Sequence, residues 1–184
     1  MNNMVRFFLF SLTFLFFLTT PNLVRAGGQL THTGDIAEIT VPLTAGVISL
    51  WKDDTEGFYQ LVEGALYTAA ATHTLKALTH ERRPNGSGFD SFPSGHVSAV
   101  TQGAAYLHFR YGLEYGLPAY GVAAFVAHSR VESHKHSWYD VGAGAVLAIG
   151  IQYAVTEMGY SLTQVSVLPY THDDEVGIIA HVRF

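Results

Sequence analysis

Apolar residues recur at helical spacing in five stretches separated by short polar breaks, the pattern of a helical bundle. Asp35 is placed to cap a first helix running through Ile36, Ile39, Leu43, Val47 and Leu50, bent at Pro42, after an irregular lead-in from Gly27 to Gly34. Past the polar turn Lys52-Asp53-Asp54, a second helix opens at Thr55 and spaces Phe58, Leu61, Val62, Ala65, Leu66, Ala69, Leu75 and Leu78 helically. It is expected to end at Arg83, because Pro84 disfavours a helical residue before it, and Asn85-Gly86-Ser87-Gly88 follows as a loop. Pro93-Ser94-Gly95 introduces a third helix through Val97, Val100, Ala104, Ala105 and Leu107 that stops near Tyr111-Gly112. Gly116 to Ser129 is the fourth, and Ser137 to Gly159, through Val141, Ala145, Leu147, Ile149, Ile151 and Val155, the fifth. Weak alternation at Val165, Val167, Val176 and Ile178 around Asp173-Asp174-Glu175 predicts a strand pair. The expected fold class is therefore all-α, a bundle of about five core helices with a small C-terminal β-hairpin.

Ahead of this pattern the chain reads as an export signal. Arg6 lies in a short polar start, an apolar run extends from Phe7 to Leu18, Pro21 breaks it, and Val24-Arg25-Ala26 is a small-x-Ala cleavage site. Residues 1–26 are assigned to the signal and 27–184 to one domain, with an uncleaved anchor as the alternative. Cleavage removes Arg6 and Arg25 and takes the formal charge from −5 to −7. So acidic a protein lacks the clustered cations that neutralise a phosphate backbone, which excludes nucleic acid as a partner. The chain has no cysteine, so disulfides and thiolate metal sites are excluded and packing must supply the stability.

No helical stretch quite reaches the 18 or so apolar residues of a bilayer span; the best, Val141 to Thr156, is bounded by Asp140 and Glu157. The expected location is the bacterial periplasm or the periplasmic face of the inner membrane. Association with the membrane surface and a bundle embedded in it both stay open.

Candidate chemistry gathers in two places. In the stretch from Ser129 to Asp140, His136 and Asp140 are four residues apart; on one helical face the carboxylate can accept a proton from the imidazole. With Arg130 six residues upstream, that pair suits nucleophilic attack on an anionic centre such as a phosphoryl group. The second place runs from Lys76 to His96. Lys76 and Arg83, seven apart, lie two turns along one helical face, which taken alone also describes an ordinary solvated basic patch. The loop after them leads straight into Pro93-Ser94-Gly95-His96, where the first N–H groups of a helix favour an anion. There Gly95 permits close approach, Ser94 adds a hydroxyl, and His96 can protonate a leaving oxygen. Of the ten histidines, the other eight read as surface or core residues. His134 has Trp138, not an acid, four residues on. The pair His134 and His136 lacks the carboxylate company of a metal site, so neither metal nor cofactor is expected.

Taken together, Lys76-(six residues)-Arg83-Pro84, Pro93-Ser94-Gly95-His96 and Ser129-Arg130-(five residues)-His136-(three residues)-Asp140 resemble the three-part signature of the type 2 phosphatidic acid phosphatase superfamily, which is related to bacterial nonspecific acid phosphatases and vanadium haloperoxidases. Every signature position is filled. The resemblance implies a helical phosphatase that uses no metal. In it His136 attacks phosphorus to give a phosphohistidine, Asp140 orients His136, and His96 protonates the leaving group and then activates water. Lys76, Arg83, Ser94, Gly95 and Arg130 would bind the phosphoryl oxygens. The expected substrate is a phosphomonoester or pyrophosphate of a lipid, such as phosphatidic acid or an isoprenyl or lipid A phosphate. A broad periplasmic acid phosphatase is the near alternative; a vanadate-dependent haloperoxidase and a non-catalytic oxyanion binder are the remaining ones.

Overall fold

The computed structural model describes residues 27–162, 165–172 and 175–182, with side chains from Gly34 to Leu162. The expected signal, residues 1–26, lies outside the described residues. The fold is all-α, with five helices among the described residues: α1 (Gly27–Trp51), α2 (Thr55–Thr79), α3 (Gly95–Tyr111), α4 (Leu113–Glu132) and α5 (Trp138–Thr156). Among the described residues, no helix is long and apolar enough to cross a membrane.

The bundle is built around α3, which packs against all four other helices. Ten of its residues, including the unbroken run Val100 to Leu107, are buried, and most are small enough for neighbours to approach on every side. Val97, Val100 and Ala104 join Ala37, Val41, Ala45, Leu61, Val126 and Val141 in one apolar core. Gln102 pairs across helices inside the bundle: from α3 it donates through Nε2 to the Leu61 carbonyl and to Gln152 Oε1 on α5. A side chain on Gly144 of α5 would sit 2.7 Å from the Ser94 carbonyl oxygen, so its absence is what lets α5 pack against the start of α3.

Three boundaries differ from expectation. The lead-in is helical: α1 begins at Gly27 and passes through Pro42, so Asp35 is not a cap but a residue two turns inside the helix. The second helix ends at Thr79, four residues before Arg83, where His80 turns left-handed and its N–H closes on the Lys76 carbonyl. Arg83 thus sits in the following loop. The fifth helix starts as expected, with Ser137 as the N-cap of α5 and His136 just ahead of it, but ends at Thr156 rather than Gly159.

Asp54 fixes the end of the bundle away from these loops. It caps α2 through the Gly57 N–H and takes a two-pronged ion pair from Arg110 at 2.6 and 2.8 Å, with the Tyr111 hydroxyl adding a third donor. The Arg110 guanidinium holds the Asp54 carboxyl well below its usual range, at about 2. Because the folded value lies below the unfolded one, the stabilisation is complete above the ordinary carboxylate range and fades as pH falls toward 2. Asp54→Asn should therefore cost about 2 kcal/mol in urea unfolding at pH 7, with the gap to the parent closing as pH is lowered from 4 toward 2.

Candidate active site

The two clusters foreseen in the sequence meet at one end of the bundle, where the loop between α2 and α3 folds over the start of α5. His136 is almost fully buried and its Nδ1 lies 2.8 Å from the Ser91 carbonyl oxygen. A carbonyl can only accept, so Nδ1 carries the hydrogen and Nε2 keeps its lone pair. Burial first, then the charges of Lys76 and Arg83, push the His136 imidazole down to about 4, so it is neutral and nucleophilic over the neutral pH range.

Asp140 does not touch His136 as a direct hydrogen-bond acceptor; the nearest approach is 3.8 Å, from His136 Nδ1 to Asp140 Oδ2. Instead Oδ2 accepts from the Ser137 N–H and from the Ser91 hydroxyl, each at 2.7 Å. The Ser137 hydroxyl accepts the Asp140 N–H in return, completing a capping box on α5. Besides its direct electrostatic pull on the nearby ring, which opposes the downward push, Asp140 reaches the imidazole through Ser91, whose hydroxyl it holds and whose carbonyl holds the ring.

Lys76, Arg83, Gly95, His96 and His136 line one cavity of about 330 Å³. Lys76 donates to the Asp90 carbonyl at 2.6 Å, and its Cε lies 3.7 Å from where a side chain on Gly95 would begin. Burial, with Arg83 second, lowers the Lys76 ammonium from its ordinary value. Ser94 gives its N–H to the Asp140 carbonyl, and its buried hydroxyl has no hydrogen-bond partner among the described residues. Arg130 is buried behind this wall, and its own carbonyl accepts the His136 N–H. His134, exposed and bonded through Nδ1 to the Glu132 carbonyl, stands apart. Among the described residues, no group of histidines and acids has the makings of a metal site.

Sequence reasoning missed three contributors. Ser91 acts through its backbone, which no side-chain pattern reveals. Asp35 and Glu38 come from α1, at helical spacing i and i+3, and both reach His96: each carboxylate lies 2.9 Å from its Nε2, which therefore bears the hydrogen. Asp35, half exposed, also accepts from the guanidinium of the buried Arg130, so a carboxylate of the chain itself takes an Arg130 donor. Despite the opposing cost of burial, these hydrogen bonds hold the Asp35 carboxyl below its ordinary value, leaving it ionised at neutral pH. A signal did exist: an acid on an otherwise apolar helix, read as a cap.

The sequence profile of the PAP2 superfamily matches residues 57–163, more than half the chain and all of the stretch from Lys76 to Asp140. The chain belongs to that superfamily. It is 38% identical over 81 residues to a lipid A 1-phosphatase of Porphyromonas gingivalis; the alignment covers 42% of this chain and 17% of the relative, so the chain spans only about a sixth of that protein's length. It also resembles the crystal structure of Aquifex aeolicus LpxE, with a TM-score of 0.63 at 18% identity over 73% of this chain and 88% of that one, a likeness of fold.

Two measurements probe this geometry. The His136 ring resonances should titrate near pH 4 by NMR, and Lys76→Met should move that midpoint upward by removing a neighbouring positive charge. Asp35→Asn, which withdraws a competing anion from Arg130, should tighten orthophosphate binding several-fold at pH 7 in calorimetry; weaker binding would mean that the carboxylate assists the anion site.

Proposed function

We propose that the chain is a phosphatase that removes a terminal phosphate from a lipid through a phosphohistidine intermediate. The observation that carries this reading is the neutral His136, with the Nε2 lone pair unused by its support, in the cavity wall that also holds Lys76, Arg83, the start of α3 and His96. The superfamily membership and the resemblance to a lipid A 1-phosphatase support it.

In this reading the phosphoryl group sits at the start of α3, with its oxygens facing the Gly95 end of the helix, the Ser94 hydroxyl, Lys76 and Arg83. Arg130 joins them by exchanging its Asp35 partner for a phosphoryl oxygen. His136 Nε2 forms a bond to phosphorus as the bond from phosphorus to the leaving oxygen breaks, and the proton on His96 Nε2 passes to that oxygen. Water then gives a proton to His96 and its oxygen to phosphorus; the nitrogen–phosphorus bond breaks, releasing orthophosphate and restoring both histidines. Three cations and a helix start supply the charge stabilisation of the transferring group from this chain's own side chains.

We further infer export and a position against the outer face of a bacterial inner membrane. The support is an exposed apolar stripe on α1, Ile36, Ile39, Leu43, Val47 and Leu50, on the side away from the core residues Ala37, Val41, Ala45 and Ile48. The terminal segment, where Val165–His172 and Glu175–Val182 run antiparallel with Val165 opposite Val182, is read as a small hairpin appended to the catalytic bundle.

Phosphate release from a lipid phosphate in mixed micelles should exceed that from a small aryl phosphate and should persist in chelator. His136→Ala should abolish it, and Asp140→Asn should slow it by a factor on the order of 100. Full activity in His136→Ala removes the mechanism; a preference for the aryl phosphate moves the assignment to a broad acid phosphatase.

A further inference from the structure

Lys76 is the last of three residues spaced four apart on α2, Thr68, Thr72 and Lys76, so all three share a face and extend from the phosphoryl cradle into the bundle. Eight residues of helix span roughly 12 Å. Thr68 and Thr72 are 2% and 3% exposed, they line the same cavity as Lys76 and His136, and neither hydroxyl has a hydrogen-bond partner among the described residues. A threonine inside a helix ordinarily settles its hydroxyl on the carbonyl one turn back. Thr44 and Thr79 in this chain do so, at 2.7 and 2.9 Å. Thr68 and Thr72 forgo that bond, and a buried hydroxyl left unpaired is costly unless something else takes it up.

The walls around them explain where that partner would come from. Ala65 and Ala69 on α2, Ala99 on α3 and Pro42 on α1 keep the space open, and the Thr72 methyl carbon Cγ2 lies 3.9 Å from the position a Gly95 side chain would take, so Thr72 stands next to the cradle itself. The space is at the small end of ligand pockets, room for one compact group next to the phosphate and too small for a branched lipid. His96, the proton donor for the leaving oxygen, borders it as well.

We propose that this cavity is a subsite for the part of the leaving group bonded directly to the phosphate, that this part carries oxygen, as hydroxyl, ether or ester groups, and that Thr68 and Thr72 are its hydrogen-bonding contacts. The inference rests on the phosphatase reading above for the placement of the phosphorus. A bare alkyl phosphate would bury both hydroxyls against carbon, whereas a hexose or a glyceryl ester offers oxygens along the stripe. Discrimination of this kind is strong because the penalty falls on the analogue that leaves the site's own polar groups unpaired.

Thr68→Val and Thr72→Val keep the shape and remove only the hydroxyl. The ratio of kcat/KM for a hexose 1-phosphate to that for n-hexyl phosphate should fall about tenfold in each variant, with glycerol 3-phosphate as a third arm. A larger loss for the hexose identifies a sugar next to the phosphate; a larger loss for glycerol phosphate identifies a glyceryl group. Loss by the same factor for hexyl phosphate, or no change in the ratio, overturns the subsite. Both variants should unfold at the same or a higher urea concentration than the parent, because a buried unpaired hydroxyl is removed; a lower midpoint with all substrates affected alike would give these hydroxyls to the fold instead and overturn it too. The same ratio is read from calorimetric Kd values in the His136→Ala background, where no turnover is needed. The phosphatase reading itself stands or falls on the lipid phosphate assay above, so in a parent that hydrolyses none of the three small substrates the Kd ratio alone decides the subsite.

Discussion

The active end of the molecule depends on a single carboxylate. Asp140 closes the first turn of α5, holds the Ser91 hydroxyl, and through its own backbone carbonyl receives the Ser94 N–H. One residue thereby ties the α2–α3 loop, the start of α3 and the start of α5 to a common point. Those are the segments that deliver the ring support of His136, the candidate anion-binding N–H groups, and His136 itself. A carboxyl group buried this deeply needs hydrogen bonds, and those of Oδ2 come from parts of the chain that must be held in register, while Oδ1 has no partner among the described residues. The contacts made by Oδ2 and by the Asp140 carbonyl are therefore also the contacts that bring the candidate site together.

Opposing charges are divided between the two histidines of the cavity. Burial disfavours a positive charge on His136, and Lys76 and Arg83 lie close enough to disfavour it further, so the proposed nucleophile stays neutral among cations. Asp35 and Glu38, acting from α1, put negative charge on the other histidine instead. Two imidazoles in one small cavity thus meet opposite surroundings, and their hydrogen bonds leave Nε2 bare on His136 and place the hydrogen on Nε2 of His96.

Much of this was legible in the chain. The period of the apolar residues gave five helices because the bundle core is continuous, and the three short motifs marked Lys76, Arg83, Ser94, Gly95, His96, Arg130, His136 and Asp140 because polar residues at those spacings have little reason to occur in a core. Several things were hidden for physical reasons. The left-handed turn at His80 ends α2 early, driven by loop contacts such as the bond from Lys76 to the Asp90 carbonyl, and no propensity encodes that. Ser91 contributes a carbonyl, which every residue has. Asp35 looked like a cap because capping is the commonest use of an aspartate before an apolar run, and only the packing of α1 on α4 shows it facing Arg130.

The stretch matched by the family profile starts at Gly57, after α1 has ended. Yet α1 supplies Asp35 and Glu38 to the histidine wall and Pro42 to the cavity. The proposed nucleophile, its support and the proposed oxyanion-binding helix start all come from the matched stretch, whereas part of the cavity lining comes from outside it. On the proposed function, reaction chemistry and molecular selectivity fall on different portions of one short polypeptide. Exchanging the first helix between related bundles would then alter the substrate range while leaving the proposed bond-breaking residues in their own sequence context.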